Sequence, residues 1–272
     1  MHERDSKVLA GQVAVVTGST QGIGAGIARK FAEAGARVIV HGLESQKAGG
    51  ENLVAEIESA GGEALLVVGD VKQEAHCRQV IRLAVERFGQ IDILVNNAGT
   101  MMRGNLQSTT VAMWDEMFTT DLRAPFILCQ EAASYMKQRL KGCIVNIGSV
   151  LAYIGLPGIL AYSVAKGGMM TLTKNLADAL KQHRIRVNQI NPGWVLTEGE
   201  HHIKSVVEGL GDNWLEDALK SRPHGRMIMP ADIANAALFF AGNELISGAI
   251  LDYEQMPFGA PSGAVTGSQV VL

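Results

Sequence analysis

Seven short runs that are apolar on both faces punctuate the chain, at residues 13–17, 37–41, 64–70, 91–96, 142–149, 185–191 and 249–252. Between them lie helical patterns: Ile81, Ala84, Val85 and Phe88 recur at i, i+3, i+4 and i+7, and Leu172, Leu176 and Leu180 at i, i+4 and i+8. Strands apolar on both faces must be covered on both sides, and strands separated by helices join by right-handed crossovers into a parallel sheet. The alternation therefore predicts an α/β chain, a single-domain doubly wound Rossmann fold over residues 1–272 with a mostly parallel seven-stranded sheet flanked by helices. Residues 197–229 read as a helical lid inserted before the last helix, and residues 253–272 as a tail rich in Gly, Pro and Ser. Hydrophobic residues at 47% and charged residues at 19% suit one substantial core, and no composition break asks for a second domain.

The turn between the first strand and the first helix is TGSTQGIG, residues 17–24. In a doubly wound sheet, ligands sit beyond the carboxyl ends of the strands, and this turn carries a dinucleotide pyrophosphate on the helix N-terminus. Gly18, Gly22 and Gly24 fill it, with Thr20, Gln21 and Ile23 between them. A side chain there would hold the backbone away from the phosphates, and Gly24 lets the helix lie near the strand. A glycine-rich turn by itself is more often an ordinary tight turn; its place after the first strand raises the case for a nucleotide site.

The spacing T-G-x-x-x-G-x-G resembles that of the short-chain dehydrogenase/reductase family. The resemblance runs from about residue 8 to residue 252. It continues in the family's order through Asp70-Val71, Asn96-Asn97-Ala98-Gly99, Ser149, Tyr162-Ser163-Val164-Ala165-Lys166, and Asn191-Pro192-Gly193 to Thr197. The resemblance implies an enzyme that moves a hydride between a nicotinamide cofactor, NAD or NADP, and a carbon bearing oxygen. It assigns the general acid/base to Tyr162, steadying of the carbonyl to Ser149, and the nicotinamide ribose to Lys166. Asn97, Ala98 and Gly99 become cofactor-side contacts, as do Val71, Pro192 and Gly193; Asp70 becomes an adenine contact, and Val195 and Thr197 contacts to the nicotinamide amide. Asp70 could instead cap the following helix, and Asn191-Pro192-Gly193 could be a turn alone.

The tyrosine and lysine have a chemical logic of their own. At i and i+4 they face the same way on one helix. A tyrosine of pKa about 10 is a poor base at neutral pH, and a nearby lysine cation stabilises its phenolate. Ser149, leaving the neighbouring strand, is placed to hydrogen-bond the same substrate oxygen.

Three places depart from the family's pattern. Asp121, in Thr119-Thr120-Asp121-Leu122, stands where asparagine is usual in a proton relay; it keeps the backbone carbonyl that holds a water but loses two amide donors. It is kept as a catalytic candidate. At the end of the second strand, His41-Gly42-Leu43-Glu44 puts Gly42 in place of an acid that would grip the NAD ribose, while Leu43 and Gln21 offer no cation for the NADP phosphate. NAD is the expected cofactor, with His41 or Lys47 as the route to NADP. The last strand ends in Asp252-Tyr253-Glu254-Gln255, then Met256-Pro257-Phe258-Gly259, in place of Asp-Gly-Gly; this tail either packs at a contact or is disordered.

Substrate walls fall to Met101, Met102 and Arg103, to Leu151 and Tyr153, and to Trp194. With Arg103, His201 and Gln255 as polar contacts, a small secondary alcohol or ketone is expected, such as a polyol or sugar derivative. A 3-oxoacyl thioester is the alternative. A nucleotide-sensing regulator without turnover is expected to lack the tyrosine and lysine, and both are present. His201 and His202 lack a third partner for a metal, so no metal site is expected. A formal net charge of -3 and scattered cations argue against nucleic acid. No run of 18 apolar residues and a polar start at residues 1–7 predict a cytoplasmic protein away from membranes. Cys77, Cys129 and Cys143 read as buried thiols rather than a disulfide or metal site. The helical patterns over 111–141 and 158–182 carry more apolar positions, among them Phe118, Phe126, Leu128, Met169, Met170 and Leu172, than one core face uses, which predicts a homotetramer.

Overall fold

The computed structural model describes residues 7–154, 156–211 and 213–256. Val13–Val16 (β1), Arg37–Gly42 (β2), Ala64–Val68 (β3), Ile93–Asn96 (β4), Gly142–Ile147 (β5), Ile185–Pro192 (β6) and Ile250–Tyr253 (β7) form one sheet in the order β3-β2-β1-β4-β5-β6-β7. Every neighbouring pair is parallel. The strand order reverses between β1 and β4, which opens a crevice at their carboxyl ends.

Alternate residues of β1 face opposite cores. Ala14 and Val16 pack with Ile27 and Phe31 of Gly22–Glu33 (α1), Leu53 and Ile57 of Lys47–Ser59 (α2), and Ile233 and Phe240 of a helix near the C-terminus, Pro230–Gly242. Val13 and Val15 pack with Ile81 of Glu74–Phe88 (α3), Leu128 and Met136 of Ala124–Arg139, and Leu180 of Leu160–Leu180. Each such Val, Leu, Ile, Met or Phe side chain contributes about 1.5–3 kcal/mol when fully buried, so the two cores fix the sheet and with it the strand ends that carry the site. Val111–Phe118 (α4) runs through a π-helical turn, Thr119–Arg123, directly into Ala124–Arg139 (α5). Leu160–Leu180 is α6.

Strand ends differ from the expected ones where a side chain takes over from the ladder. β4 starts at Ile93 because the Asp92 carboxylate accepts the Val13 N–H at 2.8 Å and pairs with Arg139 at 2.8 Å. β3 stops at Val68, and the chain then turns as the Asp70 carboxylate accepts the Lys72 N–H at 2.9 Å. The stretch after β6 holds Glu198–His202 (α7), a π-helical turn Ile203–Val207, and Trp214–Lys220 (α8) around a small cluster of Trp214, Ala218 and Met227. Pro230–Gly242 is then α9. Cys77, Cys129 and Cys143 are buried thiols; burial pushes Cys77 up to about 11 and Cys129 up to about 12. Among the described residues no helix is long and apolar enough to cross a membrane.

Candidate active site

The glycine loop leaves β1 at the crevice, with Gly18 at φ +61° and Gly22 at φ +56°. A Cβ on Gly18 would come within 2.8 Å of the Ala98 Cα, and one on Gly24 within 2.8 Å of the Ser19 Cα. The loop is pinned on both sides. Ser19 exchanges hydrogen bonds with the His41 backbone, its N–H donating at 2.7 Å and its Oγ accepting at 2.9 Å. Asn97 Nδ2 donates to the carbonyls of Thr17 and Gly18, both at 2.9 Å, while Thr17 Oγ1 accepts the N–H groups of Asn97 and Ala98. Helix α1 then opens with no side-chain cap and no acidic residue in its first turn. A close-packed glycine cradle ahead of an uncapped helix N-terminus fits a pyrophosphate.

On the other side of the crevice, Tyr162 and Lys166 stand one turn apart on α6. Lys166 is buried, its Nζ 3.1 Å from Asp121 Oδ1, 3.1 Å from the Ile147 carbonyl that it donates to, and 5.5 Å from the Tyr162 ring centre. Asp121 is fully buried on the first π-helical turn, and both its oxygens face the Thr100 N–H at 3.3 Å. Burial pushes the Asp121 carboxyl above the usual carboxylate range, against the pull of Lys166. Burial pulls the Lys166 ammonium down, but the charges of Asp121 and Tyr162 outweigh it and leave it raised. Ser149, buried just past β5, accepts the Leu151 N–H at 3.1 Å.

At the end of β2, Gln46 Oε1 accepts from the Leu43 N–H at 3.3 Å and from Thr20 Oγ1 at 3.2 Å, and a Cβ on Gly42 would press on the Thr20 methyl at 2.5 Å. His41 is turned inward, 2% exposed. Its Nδ1 accepts the Gly18 N–H at 3.3 Å, and its Nε2 faces His76 Nε2 at 3.1 Å. Burial, reinforced by His76, holds its pKa down to about 4. His41 is therefore neutral at pH 7 and lies under the loop, which corrects its expected availability to a phosphate. Lys47 sits near Glu51, Nζ to Oε1 3.9 Å.

A family model described as short chain dehydrogenase matches residues 12–207. The chain belongs to the short-chain dehydrogenase/reductase family. It is 36% identical over 237 residues to an uncharacterized oxidoreductase of Methylorubrum extorquens, covering 87% of this chain and 92% of that one. It is 33% identical over 233 residues to a 3-oxoacyl-[acyl-carrier-protein] reductase of Chlamydia pneumoniae, covering 86% and 90%. A solved structure from Beutenbergia cavernae, provisionally described as an NAD(P)-dependent gluconate 5-dehydrogenase with NADP bound at low occupancy, superposes with a TM-score of 0.81 at 30% identity over 91% of this chain and 96% of that one. This short-chain dehydrogenase/reductase is thus an oxidoreductase acting on CH–OH or keto groups with an NAD(P) cofactor.

The remaining expected site residues of the dehydrogenase divide between facing the crevice and bracing it. Thr197 lies opposite the glycine loop, its methyl 3.5 Å from where a Gly22 Cβ would stand, and its Oγ1 caps α7 by accepting the Glu200 N–H at 3.0 Å. Gly99 is held to glycine by Asp121, whose Oδ1 lies 2.5 Å from its Cβ position. The Asn97 N–H is spent on Thr17, so this residue braces the loop rather than offering that donor to a cofactor. Asp70 closes a turn onto Lys72, and Gln73 stands at the N-cap of α3. Val71 is buried, and Val195 bridges to Ile228. Pro192 pairs with Tyr253, and the Gly193 N–H donates to the Tyr253 carbonyl at 2.9 Å. Leu151 and Tyr153 line the edge beside Ser149, Tyr153 with its hydroxyl against Asp252. Arg103, exposed, pairs with Glu208 of the inserted stretch, which also holds Lys204 at 2.8 Å.

Trp194 differs from a plain substrate wall: its Nε1 donates to Glu200 at 2.7 Å and its ring stacks on Trp214 at 5.7 Å, which ties it to the insertion. Gln255 likewise serves the insertion, donating to the Arg226 carbonyl at 2.6 Å and accepting the His224 N–H at 3.1 Å. Sequence reasoning missed Thr17, Gln46 and Glu254. Thr17 was legible as the first letter of the loop motif. Glu254, whose Oε2 faces the Trp194 N–H at 3.4 Å and whose Oε1 lies 3.5 Å from Arg222, occupies the space a Gly193 side chain would need; nothing in the local pattern announced it.

Proposed function

We propose that this dehydrogenase interconverts a small secondary alcohol and its ketone, with Tyr162 exchanging the proton, Ser149 holding the reacting oxygen, and Lys166 holding the nicotinamide ribose. The observation that carries the reading is the buried Lys166 cation beside the Tyr162 ring, one helical turn away and across the crevice from the uncapped glycine loop. Gly18, Thr20, Gln21, Gly22, Ile23 and Gly24 would hold the pyrophosphate, Gly42 and Leu43 the adenosine ribose, Asp70 the adenine, Val195 and Thr197 the nicotinamide amide, and Val71, Ala98, Gly99, Pro192 and Gly193 would make the further cofactor contacts. The nicotinamide, when bound, gives or takes the hydride. In reduction the Tyr162 hydroxyl gives its proton to the carbonyl oxygen, and in oxidation the phenolate takes the proton of the alcohol.

NAD is the favoured cofactor because the end of β2 presents Leu43 and an inward, neutral His41 rather than a cation. A polyol or sugar acid is the favoured substrate. Arg103 at the crevice edge is a cation that a substrate carboxylate can share with Glu208, and the Beutenbergia cavernae protein is described by gluconate. The stretch 197–229 serves as the lid. The alternative, a 3-oxoacyl thioester, draws on the Chlamydia pneumoniae relative. The reading is of a cytoplasmic homotetramer, supported by an outward groove of about 720 Å³ lined by Phe118, Leu122, Phe126 and Leu172. The expected packing of the tail falls largely on residues 257–272, outside the described residues.

Purified protein offered alcohols, polyols, sugar acids and 3-hydroxyacyl compounds, with NAD and NADP separately, tests the reading through the absorbance of reduced nicotinamide. Turnover of a polyol or sugar acid with NAD is the expected result. Turnover confined to 3-hydroxyacyl compounds overturns the substrate choice.

A further inference from the structure

Lys166 is the cation expected to stabilise the Tyr162 phenolate, yet its nearest charged neighbour is a carboxylate. Asp121 Oδ1 lies 3.1 Å from Nζ, with Asp121 fully buried and Lys166 nearly so. An ammonium has three donors. One faces Asp121, one goes to the Ile147 carbonyl at 3.1 Å, and one is left for the crevice. Around the pair the other polar groups are neutral: the Thr100 N–H from the loop after β4 and the Ile147 carbonyl at the end of β5. The charged or titratable groups acting on Lys166 are Asp121, from the π-helical turn, and Tyr162, from α6 itself; the one acting on Asp121 is Lys166.

Beside so deeply buried an ion pair, the count of charges biases which protonation state is accessible. With Lys166 cationic, Asp121 anionic and Tyr162 protonated, the trio is neutral. Ionising Tyr162, which is partly exposed, would leave a net negative charge beside the buried pair. A neutral side chain at position 121 reverses this: the trio begins with one net positive charge, and phenolate formation neutralises it.

We infer that Asp121 is a positioning residue that sets the ionisation of Tyr162 through Lys166, cancelling much of the cation's pull and keeping the proton on Tyr162 to higher pH than a neutral side chain at that position would. The consequence is a site that keeps a proton ready for a carbonyl over a wider pH range than a neutral side chain at that position would allow. The inference rests on Tyr162 as the acid/base.

The test reads Tyr162 directly, in protein without cofactor or substrate. The chain has four tyrosines, so the ultraviolet absorbance change on phenolate formation is followed against pH in the parent and in Tyr162→Phe, and their difference isolates Tyr162. The same pair of curves is taken in the Asp121→Asn background, with circular dichroism confirming the fold at each pH. The expected result is a Tyr162 midpoint lower by about one pH unit or more in Asp121→Asn, the size of shift a close charge produces. If Asp121→Asn does not fold, Asp121→Ser is read in the same way. An unmoved or raised midpoint overturns the inference, as does failure of both variants to fold, since a carboxylate retained for its charge is replaceable by its isosteric amide. Because nothing turns over in this measurement, a negative substrate screen leaves it standing, and an unmoved midpoint leaves the oxidoreductase assignment standing.

Discussion

Tyr162 is the residue on which the proposed chemistry turns. Tyr162→Phe removes the hydroxyl but keeps the ring packed beside Lys166, so the fold and cofactor binding are expected to survive while kcat falls by about 10²–10⁴-fold, the usual share of general acid/base catalysis. Calorimetric titration with cofactor and a turnover assay check the two halves separately; near-parent turnover removes Tyr162 from the mechanism. His41 allows a prediction independent of catalysis. Its folded pKa of about 4 lies below the ordinary 6.5, so the folded protein binds fewer protons than the unfolded chain between those values. Stability is full above pH 6.5 and declines as pH falls towards 4. About 2 kcal/mol is expected to be lost between pH 7 and pH 5, measured by denaturant unfolding, and His41→Asn, whose Oδ1 can still accept the Gly18 N–H, is expected to flatten the slope. Tyr162, Lys166 and Ser149 were legible because their spacing carries the chemistry. The inward turn of His41 and the pairing of Asp121 with Lys166 were not, because rotamer and burial depend on partners distant in the chain, such as His76 and Thr100.

At the scale of elements, the glycine loop and the end of β2 meet where the cofactor's adenosine ribose is expected. Gln46, through the Leu43 N–H and Thr20, fixes the backbone there, and Leu43 itself is exposed. Leu43→Arg therefore adds a cation with room to reorient, and is expected to move the ratio of kcat/KM for NADP over NAD upward by about tenfold or more, given the strength of an arginine–phosphate hydrogen bond. A parent enzyme that already favours NADP tenfold removes the premise, and an unchanged ratio in the variant removes Leu43 from the ribose site. The seven strands and the crossover helices were readable from apolar periodicity alone. The π-helical turn that carries Asp121 was not, since α4 and α5 read as one continuous helix and a single widened turn leaves the apolar spacing on either side intact. The strand ends at Asp92 and Asp70 escaped for a related reason: a carboxylate that replaces a ladder partner looks, in sequence, like one more polar residue.

For the whole molecule, the question is what covers the outer face of α4, α5 and α6. The apolar residues counted along these helices part company in the structure. Leu128 and Met169 are buried in the chain's own core, whereas Phe126 is 47% exposed and lines the outward groove with Phe118, Leu122 and Leu172. An apolar groove of this size on a long helical face is what a two-fold contact between identical subunits would bury. Asp115 and Arg123 at the same groove supply charges of opposite sign that a symmetric partner can satisfy reciprocally. Burying one phenylalanine contributes about 1.5–3 kcal/mol, and a two-fold axis counts it twice. Phe126→Glu is therefore expected to weaken self-association by about 10²–10⁴-fold, before any cost of placing a carboxylate in the contact. Light scattering on the parent at micromolar concentration is expected to give a tetramer, and the variant at the same concentration a smaller species with its circular dichroism unchanged. A monomeric parent defeats the assembly reading, while a tetrameric Phe126→Glu moves the contact to another face of the molecule.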